Sequence, residues 1–110
     1  MESFGSKIRR LRIEQGLLLR EVAAHLEIEP SLLSRVEKGS KQMTREHVLK
    51  LASVLKSTED DLLVSFLSDK IIGEIGDEKL AIEAILVAEK KMEYLKLSRE
   101  KPKDQTEAGQ

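Results

Sequence analysis

Cysteine and tryptophan are absent from this chain, and its aromatic content is one Tyr and two Phe in 110 residues. Without a thiol there is no disulfide framework, no thiolate metal site and no cysteine nucleophile, and a reducing cytoplasm suits the chain. Long apolar runs are missing too. None approaches the roughly 18 residues that a membrane span needs, and Met1-Glu2-Ser3-Phe4-Gly5 lacks the basic-then-apolar pattern of a signal peptide. The expectation is a soluble, cytoplasmic protein with no membrane partner. His25 and His47 are the only histidines, and neither sits in a metal-ligand or nucleophile–base spacing. No enzyme, metal or cofactor is expected, and nothing in the pattern marks a ligand pocket.

Alternating strand-like runs and hairpin turn signals are also lacking, whereas apolar residues recur at helical spacing almost throughout. The fold class is therefore all-α. A first helix fits roughly Ser6 to Gln15, with Ile8 and Leu11 facing inward and Gly16 stopping it. A second fits Leu19 to Leu26, turning Val22, Ala23 and Leu26 inward. Pro30 suits the first position of a third helix, where its missing N–H costs nothing, and Gly39 closes that helix after Lys38. Thr44 caps a fourth helix carrying Val48, Leu49, Leu51, Ala52 and Leu55. Ser57 or Thr58 caps a fifth that runs to about Ile75, its acidic first turn Glu59-Asp60-Asp61 complementing the helix dipole. A last helix of about 20 residues follows Gly76-Asp77, and the polar tail from Ser98 to Gln110 has too few apolar residues to fold.

Charge divides the chain. The net charge is −1, yet residues 1–58 hold 11 Lys and Arg against 7 Asp and Glu, and residues 59–110 hold 8 against 13. Only the first half, at +4, is electrostatically suited to phosphate.

A short helix, a tight turn and a second short helix, flanked by further helices, is a helix-turn-helix layout. From about Gly5 to Leu55 the chain resembles the lambda-repressor-like, Xre-type helix-turn-helix family. Ile8-Arg9-Arg10-Leu11-Arg12 and Leu33-Ser34-Arg35-Val36-Glu37-Lys38-Gly39 carry the likeness. Small Ala23 allows a close helix crossing, while Val22, Leu26, Ile28, Leu33 and Val36 fill the apolar positions of the pair. The resemblance implies a sequence-specific regulator that inserts helix 30–38 into the major groove of double-stranded DNA. It also implies that Arg12 and Glu37 form an internal salt bridge tying the first helix to the recognition helix.

The residues assign further roles. Leu33 and Val36 face the core, so Ser31, Ser34, Arg35 and Lys38 point away from it. Arg35 can grip guanine O6 and N7 in a bidentate fork, and Ser31 suits a base edge or a phosphate. Lys38, Ser40, Lys41 and Gln42 are expected on the DNA backbone. A solvated face is the ordinary fate of an exposed Arg and Lys; here their place in the motif decides otherwise. Pro30 and Leu32 can touch a thymine methyl but form no hydrogen bond to a base.

The chain departs from the family pattern at three places: Leu18-Leu19 replaces a polar cap and Gln, Glu27 stands where Gly is frequent, and Pro30 replaces a frequent Gln. Leu17-Leu18-Leu19 must leave at least one leucine exposed. Glu27 costs roughly 1 to 2 kcal/mol if its φ is positive.

Organisation then reads as residues 1–57 for DNA binding, a helical dimerisation extension over 58–97, and a polar tail over 98–110. From Ala81 the residues Ile85, Ala88, Met92 and Leu95 form a heptad seam, and Leu63, Phe66, Leu67, Ile71 and Ile75 give the preceding helix an apolar face. The seam either packs back on the chain or pairs with a second copy. A homodimer is expected, with Phe66, Leu67, Ile71, Ile85, Ala88, Met92 and Leu95 at its interface. It would place two recognition helices about 34 to 36 Å apart on a palindromic operator. Phage repressors and restriction–modification controllers both match in size. The rival expectation is an antitoxin-like module whose acidic second half binds a protein partner, with DNA binding secondary.

Overall fold

The computed structural model describes residues 1–100 and holds six helices: α1 Phe4–Glu14, α2 Leu19–Leu26, α3 Pro30–Lys38, α4 Arg45–Val54, α5 Glu59–Ile75 and α6 Ala81–Glu100. No strand occurs among the described residues. The architecture is all-α, short helices first and a longer helix last.

Capping explains where the helices begin. Ser3 turns its hydroxyl to the N–H of Ser6 (3.1 Å), which starts α1 two residues earlier than the apolar spacing alone suggests. Thr44 and Thr58 accept in the same way from the N–H groups of His47 (3.2 Å) and Asp61 (3.1 Å). Leu18 has no acceptor, and α2 opens on half a capping box in which the Glu21 carboxylate accepts from the Leu18 N–H (2.8 Å).

Left-handed residues end them. Gly39 (φ +83°) follows α3, with the Ser40 N–H bonded to the Arg35 carbonyl and the Gly39 N–H to that of Val36, a Schellman pair. Glu27 (φ +56°) and Lys56 (φ +55°) do the same after α2 and α4 without the freedom of glycine.

The chain divides into two compact units, Met1–Glu74 and the part from Ile75 onward. In the first, buried Phe4 and Ile8 of α1, Val22, Ala23 and Leu26 of α2, Leu33 and Val36 of α3, and Val48, Leu51 and Ala52 of α4 form one core. Met43 and Leu55 seal it from the loops, and Leu62 and Phe66 complete it from α5. The boundary expected at residue 57 thus falls inside this unit. Phe66, expected at a dimer interface, lies edge-on to Phe4 with ring centroids 5.5 Å apart. Leu62 and Phe66, four apart, share the inward face of α5, so Leu67 and Ile71 point outward. Two polar contacts fasten α5 to α1: the Asp69 carboxylate accepts from the Phe4 N–H (2.8 Å), and Lys7 pairs with Asp61 (2.8 Å).

In the second unit α6 is helical through Glu100, so Ser98 and Arg99 belong to it and not to the polar tail. Residues 101–110, expected to be unfolded, lie outside the described residues. Apolar side chains along α6 stay open to solvent: Ile82 and Tyr94 keep 71% of their surface, Leu97 65% and Met92 61%. No helix among the described residues is long and apolar enough to cross a membrane.

Candidate nucleic-acid interface

Helix α3 is held from behind. Leu33 and Val36 are buried in the core, and Glu37 between them and α1 is buried despite its charge. Its carboxylate receives both arms of Arg12, Nε at 2.7 Å and Nη2 at 3.0 Å, while Arg12 Nη1 donates to the Leu17 carbonyl at 3.0 Å. One guanidinium thereby joins α1, the α1–α2 loop and α3. The Glu37 hydrogen bonds raise the Arg12 pKa above its ordinary value, against a smaller opposing effect of burial. With side-chain exposures of 14% for Arg12 and 5% for Glu37, the pair is only weakly screened by solvent. The bridge expected from the family resemblance is present.

A second constraint was not legible in the sequence. A Cβ built on Gly5 would lie 2.5 Å from the Val36 carbonyl oxygen and 2.6 Å from that of Glu37. The backbone of α1 therefore lies directly against the last turn of α3, and only glycine permits that approach.

Held in this way, α3 turns outward the side chains expected to meet DNA. Pro30, Ser31, Arg35 and Lys38 are exposed and Ser34 is half-buried. Arg35 makes one long contact, Nε to the Ser31 carbonyl at 3.5 Å, and no ion pair among the described residues, so its fork is available. Leu32 is partly claimed by the core, against which it packs. Past Gly39 the loop residues Ser40, Lys41 and Gln42 are exposed, anchored by buried Met43. The Ser40 hydroxyl donates to the Arg35 carbonyl (3.3 Å), so it caps α3 as well as facing solvent.

The comparisons with known proteins agree with this geometry. A family described as a helix-turn-helix domain matches residues 3–63, more than half of the chain. This chain belongs to the helix-turn-helix family. Its kind is the Xre or lambda-repressor-like one, whose members are DNA-binding transcription regulators and not enzymes. Among solved structures it is similar to the clp gene regulator ClgR of Corynebacterium glutamicum. One such structure is 27% identical, covering 60% of this chain and 86% of that one with a TM-score of 0.52. A second is 23% identical over 89% and 92%, with a TM-score of 0.53. A SinR protein/SinI protein complex shares the fold at 19% identity, covering 89% and 99% with a TM-score of 0.52. No curated protein matches the sequence.

Of the remaining expected site residues, Leu67, Ile71, Ile85, Ala88, Met92 and Leu95 are exposed. Two cations escaped the sequence reading: Arg20 in the first turn of α2 and Arg45 at the first position of α4, both exposed and outside any ion pair among the described residues. Their signal was their place at helix N-termini, where phosphate is favoured.

Proposed function

We propose that this helix-turn-helix regulator represses or controls transcription in the cytoplasm by binding a palindromic operator as a homodimer, with α3 in the major groove. The observation that carries the reading is the outward face of α3, on which Ser31, Arg35 and Lys38 are exposed and Ser34 half-buried while Leu33, Val36 and Glu37 fix the helix from behind. Arg35 reads a base edge, and Lys38, Lys41 and Gln42 hold the backbone, with Arg20 and Arg45 added to the phosphate contacts. The exposed seam Ile85, Ala88, Met92 and Leu95 supports pairing of two copies through α6.

An electrophoretic shift assay on the DNA upstream of its own gene, with salt and competitor varied, tests this. Specific binding should survive competitor DNA. Arg35→Ala should cost about 1 to 3 kcal/mol and relax specificity at one position. Lys38→Ala should weaken all sequences alike and lower the salt slope by about one. Unchanged specificity in Arg35→Ala would remove the base-reading assignment, and a monomer by sedimentation at DNA-binding concentrations would remove the homodimer.

A second reading is favoured by the apolar surface of α6 and by the SinR neighbour, whose structure is a complex with another protein, SinI. In it the second half binds a protein partner in the manner of an antitoxin. A stoichiometric protein co-purifying with the chain would support it.

A further inference from the structure

Helix α6 carries one uninterrupted apolar seam. Ala84, Ile85, Ala88, Met92 and Leu95 follow at helical spacing, all five are exposed, and no charge breaks their side of the helix between Ala84 and Leu95. The opposite side, with Leu86, Tyr94 and Leu97, has Lys90 at its middle. The seam is thus the face suited to a second helix.

The two possible orientations of a self-pair fill this seam differently. Two parallel copies set Ala88 against Ala88 and Met92 against Met92, so a layer without a long side chain lies next to an overfull one. Two antiparallel copies, level at residue 90, set Ala88 against Met92 twice and Ile85 against Leu95 twice. Every layer then contains a long side chain.

Charge selects the same orientation. Residues 77–89 hold four carboxylates and one lysine, whereas residues 90–99 hold four cations and one carboxylate. Lys91, Lys96 and Arg99 enter no ion pair among the described residues. A parallel pair brings Lys91 beside Lys96 on both flanks and Arg99 against Arg99 where the seam ends. An antiparallel pair sets the basic end of each copy level with the acidic start of the other, Arg99 beside Glu78. Its one electrostatic cost lies at the centre, where Lys91 meets its own copy on one flank and Glu89 its own copy on the other. An acidic start and a basic end also suit the dipole of a lone helix; the placing of Ala88 opposite Met92 has no such explanation.

We propose that two copies of the chain pair antiparallel through α6, Ala88 of each against Met92 of the other, about a two-fold axis level with residue 90. This rests on the homodimer proposed above and supplies its geometry. Two such helices begin about 27 Å apart along their common axis, at 1.5 Å per residue. That separation is comparable with the spacing of about 34 to 36 Å between recognition helices on a palindrome, whereas a parallel pair starts both copies at one end.

The chain has no cysteine, so introduced thiols can cross-link only to one another. Ile85→Cys and Leu95→Cys, made separately in the full chain and mildly oxidised, should each stay uncross-linked alone and form a disulfide when mixed. The antiparallel pair sets these two positions level and holds like positions about 15 Å apart, beyond the reach of a disulfide. Cross-linking of each variant with itself would overturn the orientation and leave the homodimer standing. A second measurement leaves the seam intact: Lys91→Glu is mixed in equal amount with the unaltered chain, and the dimers are counted by native mass spectrometry. An antiparallel pair then sets a lysine against a glutamate at its centre, so the ratio of mixed to like dimers should rise about two- to fourfold above random pairing. In a parallel pair Lys91 faces Lys96, and mixed dimers gain no preference. Mixed dimers at or below the random share would overturn the orientation, and this result decides alone if either cysteine substitution dissolves the dimer. An unaltered chain that sediments as a monomer overturns the homodimer and the orientation together, and leaves the seam to a different protein.

Discussion

Helices α3 and α6 dispose their apolar residues in opposite ways. In α3, Leu33 and Val36 are buried and the polar residues other than Glu37 share the outward face, so a nine-residue helix is held by its own unit. In α6, Ile85, Met92 and Leu95 run along one side while Leu86, Tyr94 and Leu97 lie on another, and all six are exposed. A helix apolar on more than one side is ordinarily enclosed by neighbours. The difference separates a helix whose apolar residues its own unit buries from one whose apolar residues stay exposed.

The sharpest way to break this contrast is to loosen α3. Arg12→Ala leaves Glu37 buried and unpaired, and should lower unfolding free energy by about 3 to 5 kcal/mol in urea titrations, with DNA binding lost in parallel. An unchanged melting temperature would mean that Val36 and Leu33 suffice to hold the helix. Next, Leu62→Ala should cost about 2 to 5 kcal/mol, because this side chain is fully buried in the first unit. A cost under about 0.5 kcal/mol would return α5 to the appendage that the sequence suggested. Glu27→Gly works in the other direction: it relieves a left-handed φ and should raise stability by about 1 kcal/mol, less the entropy of the added glycine.

On the side of α6, Ile85→Glu with Met92→Glu should move thermal unfolding of the first unit by no more than about 0.5 kcal/mol while converting a dimer to a monomer in sedimentation. A loss as large as that of Leu62→Ala would place α6 among the core helices and erase the distinction. The smallest effect concerns pH. The Arg10 hydrogen bond holds the Glu2 carboxyl below its usual range, and that of Lys7 does the same for Asp61. A depressed folded pKa gives stability that is present above the unfolded pKa and lost as pH falls through the folded one. Lys7→Ala should therefore lower stability slightly near neutrality, leave it unchanged once Asp61 is protonated, and so flatten the acid side of the stability profile.

Much of this layout was legible. The bounds of α3 and the end of α5 follow from Pro30, Gly39 and Gly76 acting locally, α2 follows from its apolar spacing, and α4 follows from Thr44 as its cap. Arg12 and Glu37 were readable only through family resemblance, since they are 25 residues apart. What escaped depended on contacts remote in sequence. Val64, Phe66 and Leu67 look alike as apolar residues of α5, and only packing on Phe4 selects Phe66 for the interior. The Ser40 hydroxyl suited a phosphate equally well until the Arg35 carbonyl was seen beside it.

Gly5 imposes a limit of another kind. Because the spacing between α1 and α3 is set by a side chain that is missing, no graded series of substitutions can adjust it; every alternative adds a Cβ against the Val36 and Glu37 carbonyls. The angle at which the reading helix leaves its scaffold is therefore closed to gradual evolutionary tuning. On the function proposed above, new DNA-sequence preferences in descendants of this protein would arise by exchanging the exposed residues of α3 on an unchanged mount.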